Sequence, residues 1–376
     1  MKKLFSVLAI VMVAFALVSC GGKKYEIALI TDKGNIDDKS FNQGSWEGVE
    51  AFVKNFKDAD GKDYTHKYYK PETADDSGYL SSISQAIKNG AKVVVTPGFL
   101  FEVAVKNASK DNPDVKFILI DTVVEASNVA SIMYAEEQSG FLAGYAAVKD
   151  GLRKLGFMGG MAVPAVQAFG YGYLQGAEYA AKELELANGA ITAQYHYTGD
   201  FAETTKNKGT ANTMYQDGME VIFASGGSVG KSVMSAAKEQ SKKVIGVDVD
   251  QRYDDSTVIT SATKGLSASV EKVLESIYKT NTWATYAGKT TRFDVVNNGV
   301  GLPTTVIGDA NGNAFDRFTS FNLTQYNTIY AKLVNDKALR EGILKTITVA
   351  DESGIATAKE LTDGLSLTKV TVKVIA

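Results

Sequence analysis

The fold is decided by the stretch Gly90-Ala91-Lys92-Val93-Val94-Val95, whose pattern returns 128 residues later as Gly218-Met219-Glu220-Val221-Ile222-Phe223. Each copy has a glycine, two linking residues and an apolar run. Further landmarks coincide at the same offset: Phe41 with Phe169, Gly48 with Gly176, Tyr69 with Tyr197, and Gly98 with Gly226. Strands, helix glycines and loop glycines in one register indicate a unit that the chain uses twice. The identity between the copies is weak, and regular spacing of strands and helices alone also produces some self-similarity.

Apolar runs and helical patterns alternate along the chain. Ile27–Ile30 is a predicted strand, and a predicted helix follows from Phe41 to Asn55. Val93–Val95 and Phe117–Ile120 are further strands, separated by a helix from Phe99 to Asn107. This alternation predicts an α/β protein with parallel sheets. Two such lobes would enclose a cleft lined by the loops that follow the strands, where ligands of open α/β sheets bind.

Composition excludes several classes of protein. The 376 residues include 40 Lys+Arg against 43 Asp+Glu, so the chain lacks the basic excess expected of a nucleic-acid-binding protein. Cys20 is the one cysteine, which rules out a disulfide within the chain and a cysteine cluster for zinc. The two histidines, His66 and His196, lie in strand-like segments. We therefore expect no metal, no cofactor and no catalytic residue.

The N-terminus has the layout of a bacterial export signal. Lys2 and Lys3 precede the uncharged run Leu4–Val18, which is short for a membrane span, and Leu17-Val18-Ser19-Cys20-Gly21 follows. This end resembles the lipobox of bacterial lipoproteins. The resemblance implies a signal peptide over residues 1–19, cleaved before Cys20, which would then carry acyl chains such as palmitate. The alternative is a plain signal peptide with an accidental cysteine.

Polar loops after the predicted strands carry the candidate binding residues. Phe41 and Phe201 are aromatic residues among polar neighbours in opposite copies, and two such rings could clamp a flat heterocycle. Asp121 and Asp248 stand at corresponding strand ends, where a carboxylate can accept hydrogen bonds from sugar hydroxyls or amines. The alternative for each aspartate is a helix cap.

A glycine loop imitates a phosphate-binding loop but does not match it. The P-loop requires glycine at the position that Ser225 occupies in Ser225–Ser232, so Gly226 and Gly227 more simply allow the backbone to approach a ligand. Arginines, which commonly bind phosphates, are scarce near the loops, and this favours a neutral ligand. The five are Arg153, Arg252, Arg292, Arg317 and Arg340.

Four motifs together resemble the basic membrane protein family, the purine nucleoside receptor lipoproteins of ABC importers. They are Asp37–Gln43, Glu137–Gly144, Ser225–Gly227 and Gly246–Gln251, and the similarity runs over residues 24–302. The resemblance implies the type I periplasmic-binding-protein fold, in which two Rossmann-like lobes with parallel sheets are joined by a three-crossing hinge.

We expect lobe 1 to comprise residues 24–126 and 255–284, with hinges near Ala126, Tyr253 and Ala284. Lobe 2 is expected to comprise residues 127–254 and 285–376. A C-terminal extension, unusually long for the family, is expected after Asn311, with a helix near Gln325–Lys345 and a strand at Val370–Ile375.

The resemblance also implies roles for individual residues. Phe41 and Phe201 would sandwich a purine base, with Asp32 and Asn42 at the first-lobe edge of the site. Asp121 and Asp248 would bind base or ribose. Gly226 and Gly227 would pass close to the sugar, and Lys264 would reach a ribose hydroxyl or a site carboxylate. Asn42 and Lys264 come from the resemblance alone.

The implied partners are a purine nucleoside such as inosine, guanosine or adenosine, an ABC permease with its ATPase, and the bacterial cell membrane through the lipid. The protein would face the periplasm or the cell exterior, as a monomer and not an enzyme. One alternative keeps the fold but binds riboflavin, another flat heterocycle or a sugar. A second alternative is a surface signalling or adhesion lipoprotein without a transport role. An exported nucleoside hydrolase is conceivable from the carboxylates, but no nucleophile or metal cluster supports it.

Overall fold

The computed structural model describes residues 24–309, 311–343 and 355–375, which form α/β layers around two sheets. The predicted signal peptide and Cys20 lie outside the described residues. The strands are β1 Ile27–Ile30, β2 His66–Tyr69, β3 Val93–Pro97, β4 Lys116–Ile120, β5 Val129–Tyr134, β6 Lys154–Gly159, β7 Ile191–Tyr197, β8 Val221–Ser225, β9 Lys243–Asp248, β10 Val258–Lys264, β11 Lys289–Phe293, β12 Val300–Gly301 and β13 Val370–Val374.

Eleven α-helices are assigned among these described residues. They are α1 Phe41–Asn55, α2 Asp76–Lys88, α3 Glu102–Asp111, α4 Glu136–Lys149, α5 Pro164–Glu183, α6 Thr205–Gln216, α7 Val229–Gln240, α8 Leu266–Tyr278, α9 Leu323–Asn335, α10 Lys337–Gly342 and α11 Ile355–Asp363. None of them is long and apolar enough to cross a membrane.

The two sheets repeat one strand order, as the internal similarity predicts. The first sheet runs β11-β5-β4-β3-β1-β2 and the second β12-β10-β9-β8-β6-β7-β13. The repeat is in register, since Val93–Pro97 of the first lobe corresponds to Val221–Ser225 of the second at the predicted offset. The central strands β1, β3 and β8 are buried along their whole length, as parallel strands covered on both faces must be.

Repeated helix glycines have a packing reason. An added Cβ at Gly48 would lie 2.6 Å from the Ser267 carbonyl oxygen, and one at Gly176 would lie 1.9 Å from that of Phe141. A side chain at either position would push two helix backbones apart, because such distances are far inside van der Waals contact. The glycines therefore allow α1 to pack closely on α8, and α5 to pack closely on α4.

The chain crosses between lobes at positions that differ from the predicted ones. It passes from β5 to α4 at Ala135, from β10 to α8 at Gly265, and from β11 to β12 through residues 294–299. These crossings are bonded to one another, since Ala135 N donates to Phe293 O at 2.9 Å and Gly265 N donates to Gly299 O at 2.8 Å.

The predicted lobe boundaries, with hinges near Ala126, Tyr253 and Ala284, therefore require correction. Each predicted crossing falls one strand too early. β5 pairs with β4 and β11 pairs with β5, so both belong to the first sheet, whereas β10 pairs with β9 in the second. The physical reason is that each lobe completes its own sheet with one more strand before the chain leaves it.

The C-terminal extension completes the second sheet. Strand β13 pairs in parallel with β7, with Val370 opposite Ile191. The buried Glu178 carboxylate fixes the start of β13 by accepting hydrogen bonds from Lys369 N at 2.7 Å and Val370 N at 3.0 Å. The predicted helix over 325–345 is instead two helices, α9 and α10, and residues 344 and 345 lie outside the described part. The described part of the extension therefore covers the edge of a sheet and does not line the cleft.

Candidate functional site

A cleft lies between the lobes at the carboxyl ends of the strands. The space between its walls amounts to about 760 Å³, a volume that includes open solvent. Every residue predicted as ligand-binding lines it: Asp32, Phe41, Asn42, Asp121, Phe201, Gly226, Gly227, Asp248 and Lys264. We call this space the interlobe cavity.

Asp32 and Asn42 form the first-lobe edge of the cavity. Asn42 Nδ2 donates to Asp32 Oδ1 at 2.7 Å and to Asp38 Oδ2 at 2.9 Å, and Gly34 N also donates to Asp32 Oδ1 at 2.8 Å. These bonds fix the Asp32 carboxylate through its Oδ1 atom. Burial raises the pKa of Asp32 to about 6, against the lowering effect of the hydrogen bonds from Asn42 and Gly34.

Asp121 and Asp248 occupy equivalent backbone positions at the ends of β4 and β9. Their φ angles are +65° and +67°, in the left-handed region that aspartate tolerates better than most residues. Asp248 Oδ2 accepts a hydrogen bond from Ser40 Oγ at 2.5 Å, across the cleft. Burial raises the pKa of Asp248 to about 6, although the Lys264 charge and the Ser40 bond act in the opposite direction.

Asp121 has one engaged oxygen and one free oxygen. Its Oδ2 lies 2.5 Å from Lys264 Nζ, whereas its buried Oδ1 has no hydrogen-bond partner in the described part of the chain. Leaving a buried carboxylate oxygen unpaired is costly. The free oxygen therefore marks a place where a ligand donor is expected.

Lys264 is the cation on the cavity floor. It ends β10, its side chain is 2% exposed, and its ammonium also lies 3.1 Å from Glu136 Oε1. The ammonium stands 4.8 Å from the ring centre of Phe41 and 5.6 Å from that of Phe169, within the range of cation–π attraction. Burial alone would lower the pKa of Lys264, but the carboxylates of Asp121, Glu136 and Asp248 outweigh it and raise the pKa, so the side chain stays charged.

Two aromatic residues reach the cavity from opposite lobes. Phe41 is the first residue of α1, and Phe201 follows β7. The Phe201 ring rests on Gly160, where an added Cβ would lie 2.4 Å from its Cδ1 atom. Glycine is therefore required at position 160 for this placement of the ring. The cavity thus has an aromatic residue on each side.

Several lining residues were not predicted. Phe99, Val166 and Phe169 add apolar surface, and Ser225 and Ser228 flank the two predicted glycines. The duplication contained the signal for two of them. Phe169 is the second-copy equivalent of Phe41, and Phe99 follows Gly98, the equivalent of Gly226. Glu136, buried behind Lys264, was not predicted either, although the same offset places it opposite Lys264.

The charge of the lining is mostly negative. Asp32, Asp38, Asp121 and Asp248 line the cavity with Lys264, and none of its described lining residues is an arginine. The lysine of the loop that imitates a P-loop does not reach inward, since Lys231 Nζ donates to Asp37 O in the opposite lobe at 3.3 Å.

Other hydrogen bonds also join the two lobes beside the interlobe cavity. Gln251 Nε2 donates to Lys39 O at 2.7 Å, and Ser40 contacts Asp248 as described. The lobes therefore meet around the cavity.

Comparison with known proteins identifies the family. Residues 25–345 match the family model described as ABC transporter substrate-binding protein PnrA-like, and the chain belongs to this family. It is 32% identical over 295 residues to the ABC transporter nucleoside-binding protein BmpA of Lactococcus lactis, covering 73% of this chain and 80% of that protein. It is 31% identical over 290 residues to basic membrane protein A of Borreliella burgdorferi, covering 73% and 80% respectively.

Solved structures confirm the predicted fold. An ABC transporter solute-binding protein from Aeropyrum pernix K1 superimposes with a TM-score of 0.72 at 22% identity, covering 90% of this chain and 98% of that chain. One from Conexibacter woesei gives 0.62 at 24% identity, covering 83% and 96%. The chain has the type I periplasmic-binding-protein fold, with two lobes built on mainly parallel sheets, in which β12 pairs antiparallel with β10, and the hinge described above.

Proposed function

We propose that this family member is the receptor of an ABC importer and binds a purine nucleoside in the interlobe cavity. One combination of features carries the proposal: aromatic residues that reach the cavity from opposite lobes, and a buried Asp121 oxygen in the same cavity that has no donor in the described part of the chain. A flat base offers faces to the rings, and its ribose offers hydroxyl donors to the carboxylates. A relative named as nucleoside-binding supports the same ligand class.

The residues divide the ligand between them. Phe41 and Phe201 would hold the base, whose polar edge would meet Asp32 and Asn42. Ribose hydroxyls would donate to Asp121 Oδ1 and to Asp248, while Lys264 would contact a hydroxyl oxygen. The backbone at Gly226 and Gly227 would lie against the sugar.

The electrostatics favour a nucleoside over a nucleotide. Four aspartates and one lysine line the cavity, so a phosphate would meet net negative charge with no arginine fork to bind it. A neutral ligand rich in hydrogen-bond donors avoids this repulsion. The substrate class is therefore a base with an unphosphorylated sugar.

Closing and opening would occur about the crossings at Ala135, Gly265 and 294–299. The protein would act as a monomer, anchored through lipid on Cys20 to the bacterial cell membrane. There it would deliver the nucleoside to a permease driven by its ATPase. It performs no chemistry on the ligand under this proposal.

Thermal unfolding with a ligand panel tests the proposal. The purified protein, unfolded and refolded to remove any bound ligand, is heated with inosine, guanosine, adenosine, uridine, riboflavin or ribose. A ligand at 100 times its Kd adds about 2.7 kcal/mol of stability. Stabilisation by purine nucleosides alone supports the proposal. Stabilisation by riboflavin alone assigns the cavity to a flavin, and no stabilisation by any member refutes the nucleoside assignment.

A variant pair tests the aromatic clamp. Phe41→Ala is expected to weaken inosine binding by about 1–3 kcal/mol, the usual loss when one base-stacking ring is removed. Tyr68→Ala is the matched control, because Tyr68 is 43% exposed and lies outside the cavity. Equal affinity in both variants, measured by isothermal titration calorimetry, would contradict the clamp.

A further inference from the structure

Glu136 is a buried carboxylate that contacts the site without lining it. Its Oε1 atom lies 3.1 Å from Lys264 Nζ, and its side chain is 6% exposed. It is the first residue of α4, directly after the crossing at Ala135, and Lys264 stands directly before the crossing at Gly265. The ion pair therefore joins two of the three hinge segments beneath the cavity.

The two carboxylates at the Lys264 ammonium belong to different lobes. Asp121 follows β4 of the first sheet. The first turn of α4 is bonded to the second sheet, because Ser139 Oγ donates to Gly301 O at 2.9 Å and to Thr263 O at 3.2 Å, although the neighbouring Glu137 pairs with Arg292 of the first sheet. Opening of the cleft would separate Lys264 from Asp121 but leave it beside Glu136.

We propose that Glu136 is a positioning residue for ligand binding: it holds the Lys264 ammonium on the cavity floor from within the second lobe. This role rests on the nucleoside-receptor function proposed above, and it specifies how the cavity lysine is held in place for the ligand. Without Glu136, the ammonium would keep its ion pair with Asp121 across the cleft, but within its own lobe it would retain only the more distant attraction of Asp248, and it would be held less firmly when the lobes part. With Glu136 in place, Lys264 is ready for both Asp121 and a ligand hydroxyl at each closure, so less ordering is required on binding.

The surroundings of Glu136 should make its ion pair with Lys264 sensitive to pH. Burial raises the pKa of Glu136 to about 7, although the Lys264 charge acts to lower it. Protonation on acidification removes the charge that attracts Lys264, so affinity should fall as the pH drops through neutrality. The charged or titratable groups that face Glu136 or its lysine partner are Lys264, Asp121, Glu137, Asp248, Tyr134 and Tyr171.

The test compares Glu136→Gln with Glu137→Gln. Glu137 is the matched control because it is adjacent, equally buried and paired with a different cation, Arg292 on β11. Inosine affinity is measured by calorimetry from pH 6 to pH 8.5. Glu136→Gln is expected to weaken binding at pH 8 by about 5- to 150-fold, the usual strength of coupling between sites, and to lose the fall near pH 7. Glu137→Gln is expected to retain that fall.

A second readout needs no ligand. Acetylation of amines by acetic anhydride, followed by mass spectrometry of the Lys264 peptide, reports how firmly the ammonium is held. Glu136→Gln should accelerate acetylation of Lys264 several times over, whereas Glu137→Gln should not. If Glu136→Gln does not fold, Glu136→Asp retains the charge on a shorter side chain and should give a smaller change in the same direction.

The outcomes separate the two proposals. Equal behaviour of the Glu136 and Glu137 variants in both measurements overturns the positioning role. Acetylation that is faster only in the Glu136 variant, with weaker inosine binding, supports it. If the unaltered protein binds no nucleoside, the proposed function fails, and the acetylation rates alone decide whether Glu136 holds Lys264.

Discussion

Replacing Asp32 by asparagine should stabilise the protein while weakening its site. The side chains have nearly the same shape, so the change removes one negative charge and little packing. Asn42 Nδ2 and Gly34 N can still donate to an amide oxygen at the Oδ1 position. What disappears is the cost of keeping a carboxylate ionised in the cavity wall, where burial raises its pKa.

The magnitude follows from proton linkage. Burial raises the pKa of Asp32 from 3.8 to about 6, and each unit corresponds to about 1.4 kcal/mol, so the upper limit is about 3 kcal/mol. Asp32 is partly exposed at the cavity, so we expect about 1–3 kcal/mol after allowing for solvent screening.

The sign depends on pH. The folded state binds the proton more tightly than the unfolded state, so unaltered protein loses stability as the pH rises from 3.8 through about 6. The advantage of Asp32→Asn should therefore be absent near pH 3.8 and complete above pH 6.

Urea unfolding followed by circular dichroism at pH 4, 6 and 8 measures this difference. Asp75→Asn is a control of opposite sign, because the Asp75 carboxylate accepts from Gly78 N at the start of α2 and this bond lowers its pKa. An asparagine at this position would keep an oxygen acceptor for Gly78 N but lose the negative charge that strengthens this bond, so Asp75→Asn should destabilise slightly at pH 8, with the effect disappearing in acid. A destabilised Asp32→Asn at pH 8, or a gain that is the same at pH 4 and pH 8, would refute the reasoning. Inosine affinity should fall in the same Asp32 variant.

Three further predictions concern the cavity and the added strand. Gly160→Ala should displace the Phe201 ring, because the new Cβ would lie 2.4 Å from Cδ1. Inosine affinity should fall about tenfold or more, with little change in Tm. Unchanged affinity in calorimetry would show that the ring is not needed. Asp248→Asn should weaken inosine binding more than hypoxanthine binding if it contacts ribose, and equal losses in the two titrations would place it at the base. Glu178→Gln should speed hydrogen exchange in Val370–Val374 without changing inosine affinity; exchange as slow as in the unaltered protein would mean that other contacts hold the strand.

Local patterns predicted the elements better than their assignment to lobes. The predicted bounds of Ile27–Ile30 and Phe41–Asn55 are those of β1 and α1, because a buried strand and a helix after a polar loop both have strong local signals. The residues of Val129–Tyr134 and Val258–Lys264 give no local signal that indicates which sheet each strand joins. That choice depends on neighbours distant in the chain, and the predicted hinges consequently fell one strand early.

The sequence predicted many of the residues that line the interlobe cavity, but it missed several others, among them residues inside helices. Phe41 and Asp121 stand out in the sequence because an aromatic ring and a carboxylate occur at strand ends or helix starts. Phe169 lies within a helix, and its apolar side chain resembles any core residue. Glu136 was missed as well, because its partner Lys264 is 128 residues away and the two meet where the chain crosses between the lobes.

The duplicated aspartates show how the two halves of the fold become one site. Asp121 of the first lobe contacts Lys264 of the second, while Asp248 of the second contacts Ser40 of the first. Each of these aspartates, whose backbone lies in the left-handed region, thus contacts a side chain of the opposite lobe. Both carboxylates would become exposed to water when the lobes part. Asp121 Oδ1 is buried and has no hydrogen-bond partner among the described residues, and without a ligand donor this would cost about 1–3 kcal/mol. A ligand donor at that oxygen removes the cost only in the closed state. Because a ligand shifts a conformational equilibrium by its difference in affinity for the two states, this single oxygen would favour closure around the nucleoside about 5- to 150-fold.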